Sequence, residues 1–548
     1  MTKVASRFQR TESYSAMTLS LLLAVAAHAE DRPQFRGPNR DGVWGETGIL
    51  ERIPASGLEV RWRAKVGNGF SGPVVAKGRV FVTDHHTLPI LNSSIASGVL
   101  SPRQTHDMIM QHRWLLSLAL STLAVPAFAA PSADWPQFRG PGGNAVSETA
   151  VPPVAFGPST NLLWKTSLPL GYSSPVVADD RIFVTSDEVG LETLALNRKD
   201  GRILWRQPAL SDKTAPIKNP SGPGRAASTP VTDGAFVYAF FGTVGLIAYD
   251  LDGTEQWRQP LLKPDPEISA SPILIDDKII LVCDVGPGSF VEAIDKKNGR
   301  SIWRTERDRM RRSVSTPFHW VNDKRDELIV SGSYWLSSYD PRTGKQNWQY
   351  SGTAKSASST PVAARTLLVT ATAQIGNDAG EDTASRADSI DFLTDFSQVL
   401  KSPMPRSENA MVAVRSCGRG EINETHLAWK NTRSLPGAAS PIIYKGRLFT
   451  VKAGGFVSAY SLQDGKPIYQ DERLNAPGDY YASPVAAGGR IYFVSQNGII
   501  TVIDATADTL TILAQNKMGE PTLATPALVR TNILIRTEKA LYTFATAD

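Results

Sequence analysis

The 548-residue chain has only two cysteines, Cys283 and Cys417, and seven histidines. So few thiols exclude a disulfide framework, a zinc knuckle and a C-x-x-C-H haem attachment, and leave room for one disulfide at most. The histidines lack metal-ligand spacing: His85 and His86 lie in an irregular stretch, His319 in the phrase STPFHW, and His426 ahead of a tryptophan. Charge of one sign is also missing. Lys and Arg number 58 against 53 Asp and Glu, a net +5 with no basic run, which argues against a nucleic-acid partner. No apolar run beyond the amino-terminal quarter approaches the length of a membrane span.

Glycine and proline are plentiful instead, at 43 and 37, with 41% hydrophobic residues. That is the composition of a large, turn-rich β protein. Two segments have the layout of secretory signals, a short apolar run ending in a small-x-small triplet. The first covers residues 1–29 and the second 108–129, where Ala127, Phe128 and Ala129 form the triplet. Neither triplet is followed by cysteine, so lipid attachment is excluded and a periplasmic or secreted product is expected. The apolar run from Trp114 to Ala130 is near the lower limit for a membrane anchor, but Pro126 and the A-x-A ending favour cleavage.

The same passage follows each signal: DRPQFRGPNRDGVWGETG from Asp31 and DWPQFRGPGGNAVSETA from Asp134. Trp62 corresponds to Trp164, and SGPVVAKGRVFVTD to SSPVVADDRIFVTSD, at an offset near 102. From His85 the first copy loses its register. Residues 30–107 therefore read as a truncated duplicate plus linker, with residues 130–158 as an arm leading into the working protein.

From there a short phrase, a small residue, then Ser or Thr, then Pro, returns at Pro175, Pro230, Pro272, Pro317, Pro361, Pro441, Pro484 and Pro526. Most intervals match one four-stranded propeller blade. The longer intervals hold insertions, one at residues 208–225 and one at 376–409, where DSIDFLTDFSQVLK has helical spacing. Between these phrases a turn glycine precedes an aromatic by four residues: Gly201 and Trp205, Gly253 and Trp257, Gly299 and Trp303, Gly344 and Trp348, Gly465 and Tyr469. The glycine suits a tight turn requiring positive φ, and a large ring at one depth of the outer strand can fill the gap between sheets. Trp164 and Trp429 belong to the same set, and all seven rings read as structural. The expected fold is all-β, an eight-bladed propeller over residues 159–548, with NLLWKTSL from Asn161 supplying the outer strand that the last repeat lacks.

The Ala-x-Asp-x-x-x-Gly-x-x-x-Trp pattern resembles the pyrroloquinoline-quinone-like propeller repeats. The PQFRGP opening and the stretch from GRGEINETHLAWKNTR to GEPTLATPAL are similar to the bacterial propellers related to BamB, the outer-membrane assembly factor. That resemblance implies a non-catalytic binding or scaffolding protein of the cell envelope, with an envelope protein or extended peptide as partner and no cofactor. The alternative it carries is a quinone-dependent alcohol or sugar dehydrogenase using calcium. Against it, relatives of that kind have adjacent cysteines beside the quinone, whereas Cys283 and Cys417 are far apart, and no calcium ligand set stands out.

Residues just ahead of the Ser/Thr-Pro phrases should surround one entrance of the central channel: Tyr172, Arg225, Glu267, Arg311, Arg312, Lys355, Tyr480, Tyr481 and Glu520. Four are cationic and three aromatic, a composition suited to an anionic or extended peptide ligand, although solvated loop charges read the same way.

Overall fold

The computed structural model describes residues 74–76, 79–81 and 135–546, apart from 189, 211–225, 266–267, 308, 312 and 374–404. Both signal-like segments, Arg225, Glu267, Arg312 and the helical reading of 388–401 lie outside the described residues. The chain divides into Met1–Thr122 and Leu123–Asp548. In the first unit the described part is one antiparallel pair, Val74–Ala76 with Arg79–Phe81.

The second unit is an eight-bladed β-propeller of four-stranded antiparallel sheets. Sheet one is typical: an inner strand Val176–Ala178, then Arg181–Asp187, Leu191–Asn197 and an outer strand Ile203–Pro208. Inner and middle strands are buried on both faces and read as unbroken apolar or small residues, whereas the outer strand alternates. The eighth sheet joins Ala527–Val529, Asn532–Arg536 and Ala540–Ala545 to Leu162–Ser167, the strand just ahead of sheet one. Sheet four carries a fifth strand, Gly420–Glu421, lent by the turn of sheet five and paired parallel to Gln346–Ser351.

The chemistry of the Ser/Thr-Pro phrase becomes plain where sheets meet at the axis. The residue before each proline donates its backbone N–H to the hydroxyl of the equivalent residue in the next sheet. Ser174 donates to Thr229 (2.9 Å), Thr229 to Ser271 (3.0 Å) and Ser271 to Thr316 (3.2 Å). Thr360 donates to Ser440 (2.9 Å), Ser440 to Ser483 (3.1 Å), Ser483 to Thr525 (2.9 Å) and Thr525 back to Ser174 (3.1 Å). The junction between sheets four and five differs, Ser315 Oγ donating to the Ser359 carbonyl at 2.9 Å. Buried amides at the head of each inner strand lack a ladder partner, so a hydroxyl acceptor at this position removes a penalty of about 1–3 kcal/mol per junction.

The outer junctions are filled by rings. Each indole lies on the turn glycine of the following sheet and donates its N–H to a carbonyl of that turn: Trp164 to Arg198, Trp205 to Leu251, Trp257 to Lys296, Trp303 to Pro341 and Trp429 to Leu462, all within 2.8–3.1 Å. A Cβ on Gly201, Gly253, Gly299, Gly344 or Gly465 would fall 2.3–2.7 Å from the indole it meets. Trp348 departs from this pattern, since it donates to the buried Glu327 carboxylate, which also accepts from Ser338 and Asn322.

In all eight sheets the register shifts by one residue beside the docking position, leaving the residue ahead of it unpaired, as with Leu204 before Trp205 and Leu163 before Trp164. This bulge turns the ring inward and the extra side chain outward. It explains why Leu163, Leu204, Ile302 and Leu513 are exposed although apolar.

Candidate functional site

Strand direction assigns the two ends of the channel. Inner strands start at the Ser/Thr-Pro ring, so links between sheets and second-to-third connections lie at this front mouth, and the glycine turns lie at the back.

The arm closes the back. Trp135 exchanges backbone hydrogen bonds with Val177 of sheet one (3.1 and 2.9 Å), and Thr232 of sheet two donates to Pro136 (2.8 Å). Gly143 lies against Phe318 of sheet four. Arg139 Nη2 donates to the Pro441 carbonyl (2.7 Å) and Nη1 to that of Thr360 (3.4 Å), tying sheets five and six. Ala486 of sheet seven donates to Ala145 and accepts from Ser147, both at 2.9 Å, and Val151 donates to Arg530 of sheet eight (2.7 Å). Trp135, Arg139 and Ala145 are wholly buried. Burial without a paired carboxylate pulls the Arg139 pKa down. A Cβ on Gly140 would sit 2.6 Å from the Trp135 indole, so only glycine fits there.

Further along, the arm repairs a gap. Sheet seven carries Ala514, not an aromatic, at the docking register opposite Val502. Phe156 supplies the missing ring: its N–H bonds Asn516 Oδ1 (2.8 Å) on that outer strand, and it packs 5.0 Å from Phe544 of sheet eight.

At the front mouth the expected residues are unevenly placed. Tyr481 is exposed, whereas Tyr480 is buried and its hydroxyl donates to Ala476 (2.7 Å). Tyr172 is half-buried, with its N–H on the Ala226 carbonyl. Arg311 donates its N–H to Ser333 Oγ, and Lys355 is half-buried on the link into sheet five. Glu520 is committed to its own sheet: it accepts from Tyr542 (2.9 Å) and Thr537 (2.6 Å) and pairs with Lys165 (3.1 Å). Sequence reasoning missed the Asp284–Arg307 pair beside this entrance, a two-pronged buried ion pair (2.8 and 2.9 Å) whose third guanidinium nitrogen donates to Tyr339. Its residues stand 23 apart with no shared motif, so nothing in the text marks them.

Among the described residues no group of three or more His, Cys, Asp or Glu is placed to hold a metal ion. Cys283 is a buried free thiol in sheet three, and Cys417 a half-buried free thiol in the turn of sheet five. His319 sits half-buried with Nε2 3.7 Å from Asp326, and desolvation lowers its pKa.

A family model described as outer membrane protein assembly factor BamB matches residues 153–266, 195–387 and 393–545. No curated protein matches the chain. Solved structures of similar shape include BamB from Moraxella catarrhalis, 13% identical, covering 70% of this chain and 99% of that one, with a TM-score of 0.49. The quinohemoprotein alcohol dehydrogenase from Comamonas testosteroni is also 13% identical, covering 77% and 82%, with a TM-score of 0.49. The computationally designed Ika8 protein is 9% identical, covering 70% and 100%, with the same TM-score.

Proposed function

The chain belongs to the propeller family described as outer membrane protein assembly factor BamB, and from that premise we propose that it is a non-catalytic binding or scaffolding protein of the bacterial cell envelope, exported as a soluble product. The observation that carries this reading is the occupied back mouth. With the arm tied to sheets one, two, four, five, six, seven and eight, a ligand approaches the channel from the front. There the connections between sheets present loop side chains on a rigid ring, the arrangement that suits partner recognition. Arg225, Arg311, Arg312 and Lys355 with Tyr172 and Tyr481 favour an acidic or extended protein segment.

Immobilised protein starting at Ala130 should retain a defined set of envelope proteins. Replacing Arg225, Arg312 and Lys355 together with alanine should reduce that retention at least about fivefold, the loss expected from two or three charge contacts of about 0.5 kcal/mol each, with the thermal midpoint nearly unchanged. Undiminished retention would reject the front mouth as the binding surface. Dye-linked alcohol oxidation after loading with pyrroloquinoline quinone and calcium would overturn the non-catalytic reading.

A further inference from the structure

Where the outer strand of sheet four, Gln346–Ser351, ends against sheet five, a cavity of about 670 Å³ opens between Tyr350, Ser351, Arg406, Glu408, Asn423 and Lys430. Its floor is fixed. Asn423 accepts the Ser351 N–H (2.9 Å) and donates to the Ser351 carbonyl (2.8 Å), continuing the edge cover that Gly420–Glu421 begins. Those backbone groups are therefore taken, and a peptide cannot add there as a strand.

The wall is polar, and two of its groups lack an answer. Glu408 is its only carboxylate and is bound by Lys430, which leaves the Arg406 charge unmatched within the cavity. Tyr350 is only 4% exposed, yet its hydroxyl has no hydrogen-bond partner among the described residues. Lys430 and Glu408 both act on that hydroxyl electrostatically, which puts it on the cavity side, and burial pushes its pKa up so that it stays a proton donor. Buried donors are nearly always matched, so a free one on a cavity wall points to an acceptor that enters from outside. Pro405 and the Tyr350 ring are the only apolar side chains of the wall, and a hydrophobic ligand would gain little there.

We propose that this cavity binds a small polyhydroxylated anion, a sugar acid or a sugar phosphate. Arg406 takes the carboxylate or phosphate through paired N–H donors. Tyr350 donates to a ring hydroxyl, Ser351 and Ser407 offer further hydroxyls, and Glu408, held by Lys430, accepts. The volume suits about one or two sugar rings. The site lies on the outer flank of the ring, away from the channel, so it stands or falls separately from the scaffolding reading.

Calorimetric titration of the full chain with glucuronate, glucose 6-phosphate and glucose tests it. At least one of the two anions should bind at least about tenfold more tightly than glucose, and the tighter one identifies the acid group. Arg406→Gln should remove that advantage, and Tyr350→Phe should weaken the preferred anion about threefold or more. Arg202→Gln, which removes an exposed charge from the back turn of sheet one, should change nothing. Thermal melts must show every variant as stable as the parent. Binding of neither anion, glucose binding as tightly as both, an affinity unmoved by Tyr350→Phe, or a loss no larger in Arg406→Gln than in Arg202→Gln overturns the proposal.

Discussion

Replacing Gly344 with alanine tests whether the repeat glycine is there for the turn or for the ring. An added Cβ would lie 2.4 Å from Trp303 and 2.8 Å from Thr305 Oγ1, on a backbone with φ of 72°. The left-handed backbone alone costs about 1–2 kcal/mol for alanine. Displacing a packed indole adds about 1–3 kcal/mol, so Gly344→Ala should destabilise by about 2–5 kcal/mol. Trp303→Ala should cost about 3–5 kcal/mol. If the glycine serves the ring, the two losses do not add: in the Trp303→Ala background Gly344→Ala should cost only its backbone share, leaving about 1–3 kcal/mol of coupling. Urea unfolding of the four proteins, read by tryptophan fluorescence and circular dichroism, measures the cycle. A glycine penalty of the same size with and without the indole would refute the docking argument.

Phe156→Ala should destabilise by about 3–5 kcal/mol, far more than an arm residue would without a core role, and urea unfolding checks it. In the native protein a thiol reagent should label Cys417 alone, because burial pushes the Cys283 thiol up and hides it; two labels appear only in denaturant, by mass spectrometry. Burial raises the Glu520 pKa, but hydrogen bonds from Thr537 and Tyr542 and the Lys165 ion pair outweigh it and hold the carboxyl below its ordinary value. A folded pKa below the unfolded one contributes stability above the unfolded value, lost as pH falls through the folded one. Glu520→Gln should therefore weaken the protein at pH 7 and reduce its further loss towards pH 3, by denaturation at both.

The repeat was legible because it lives in side chains: the residue before each proline and the ring after each glycine recur in plain text. What those residues do was less so. The four-residue spacing from Gly201 to Trp205 hides one bulged residue, Leu204, which no hydrophobic pattern would place outside. Residues 130–158 read as an arm, but their seating across the back of the ring did not show, because that grip is largely backbone to backbone, as with Trp135 on Val177, and carries no periodicity. Phe156 answers for the aromatic absent at Ala514, a compensation across 358 positions that a single sequence cannot reveal. Glu520 stood beside a Thr-Pro phrase and so looked like a lip residue, whereas three partners from its own sheet hold it.

The circuit of hydroxyl acceptors has a consequence for ancestry. Seven of its joints are the same coupling, an amide into a serine or threonine oxygen, so no module is chemically addressed to one particular neighbour. A recombination that dropped or copied a module would leave every surviving joint able to re-form. Circumference is then set by wedge angle rather than by joint identity, and a lineage with such interchangeable parts can be rebuilt in whole units without inventing new contacts.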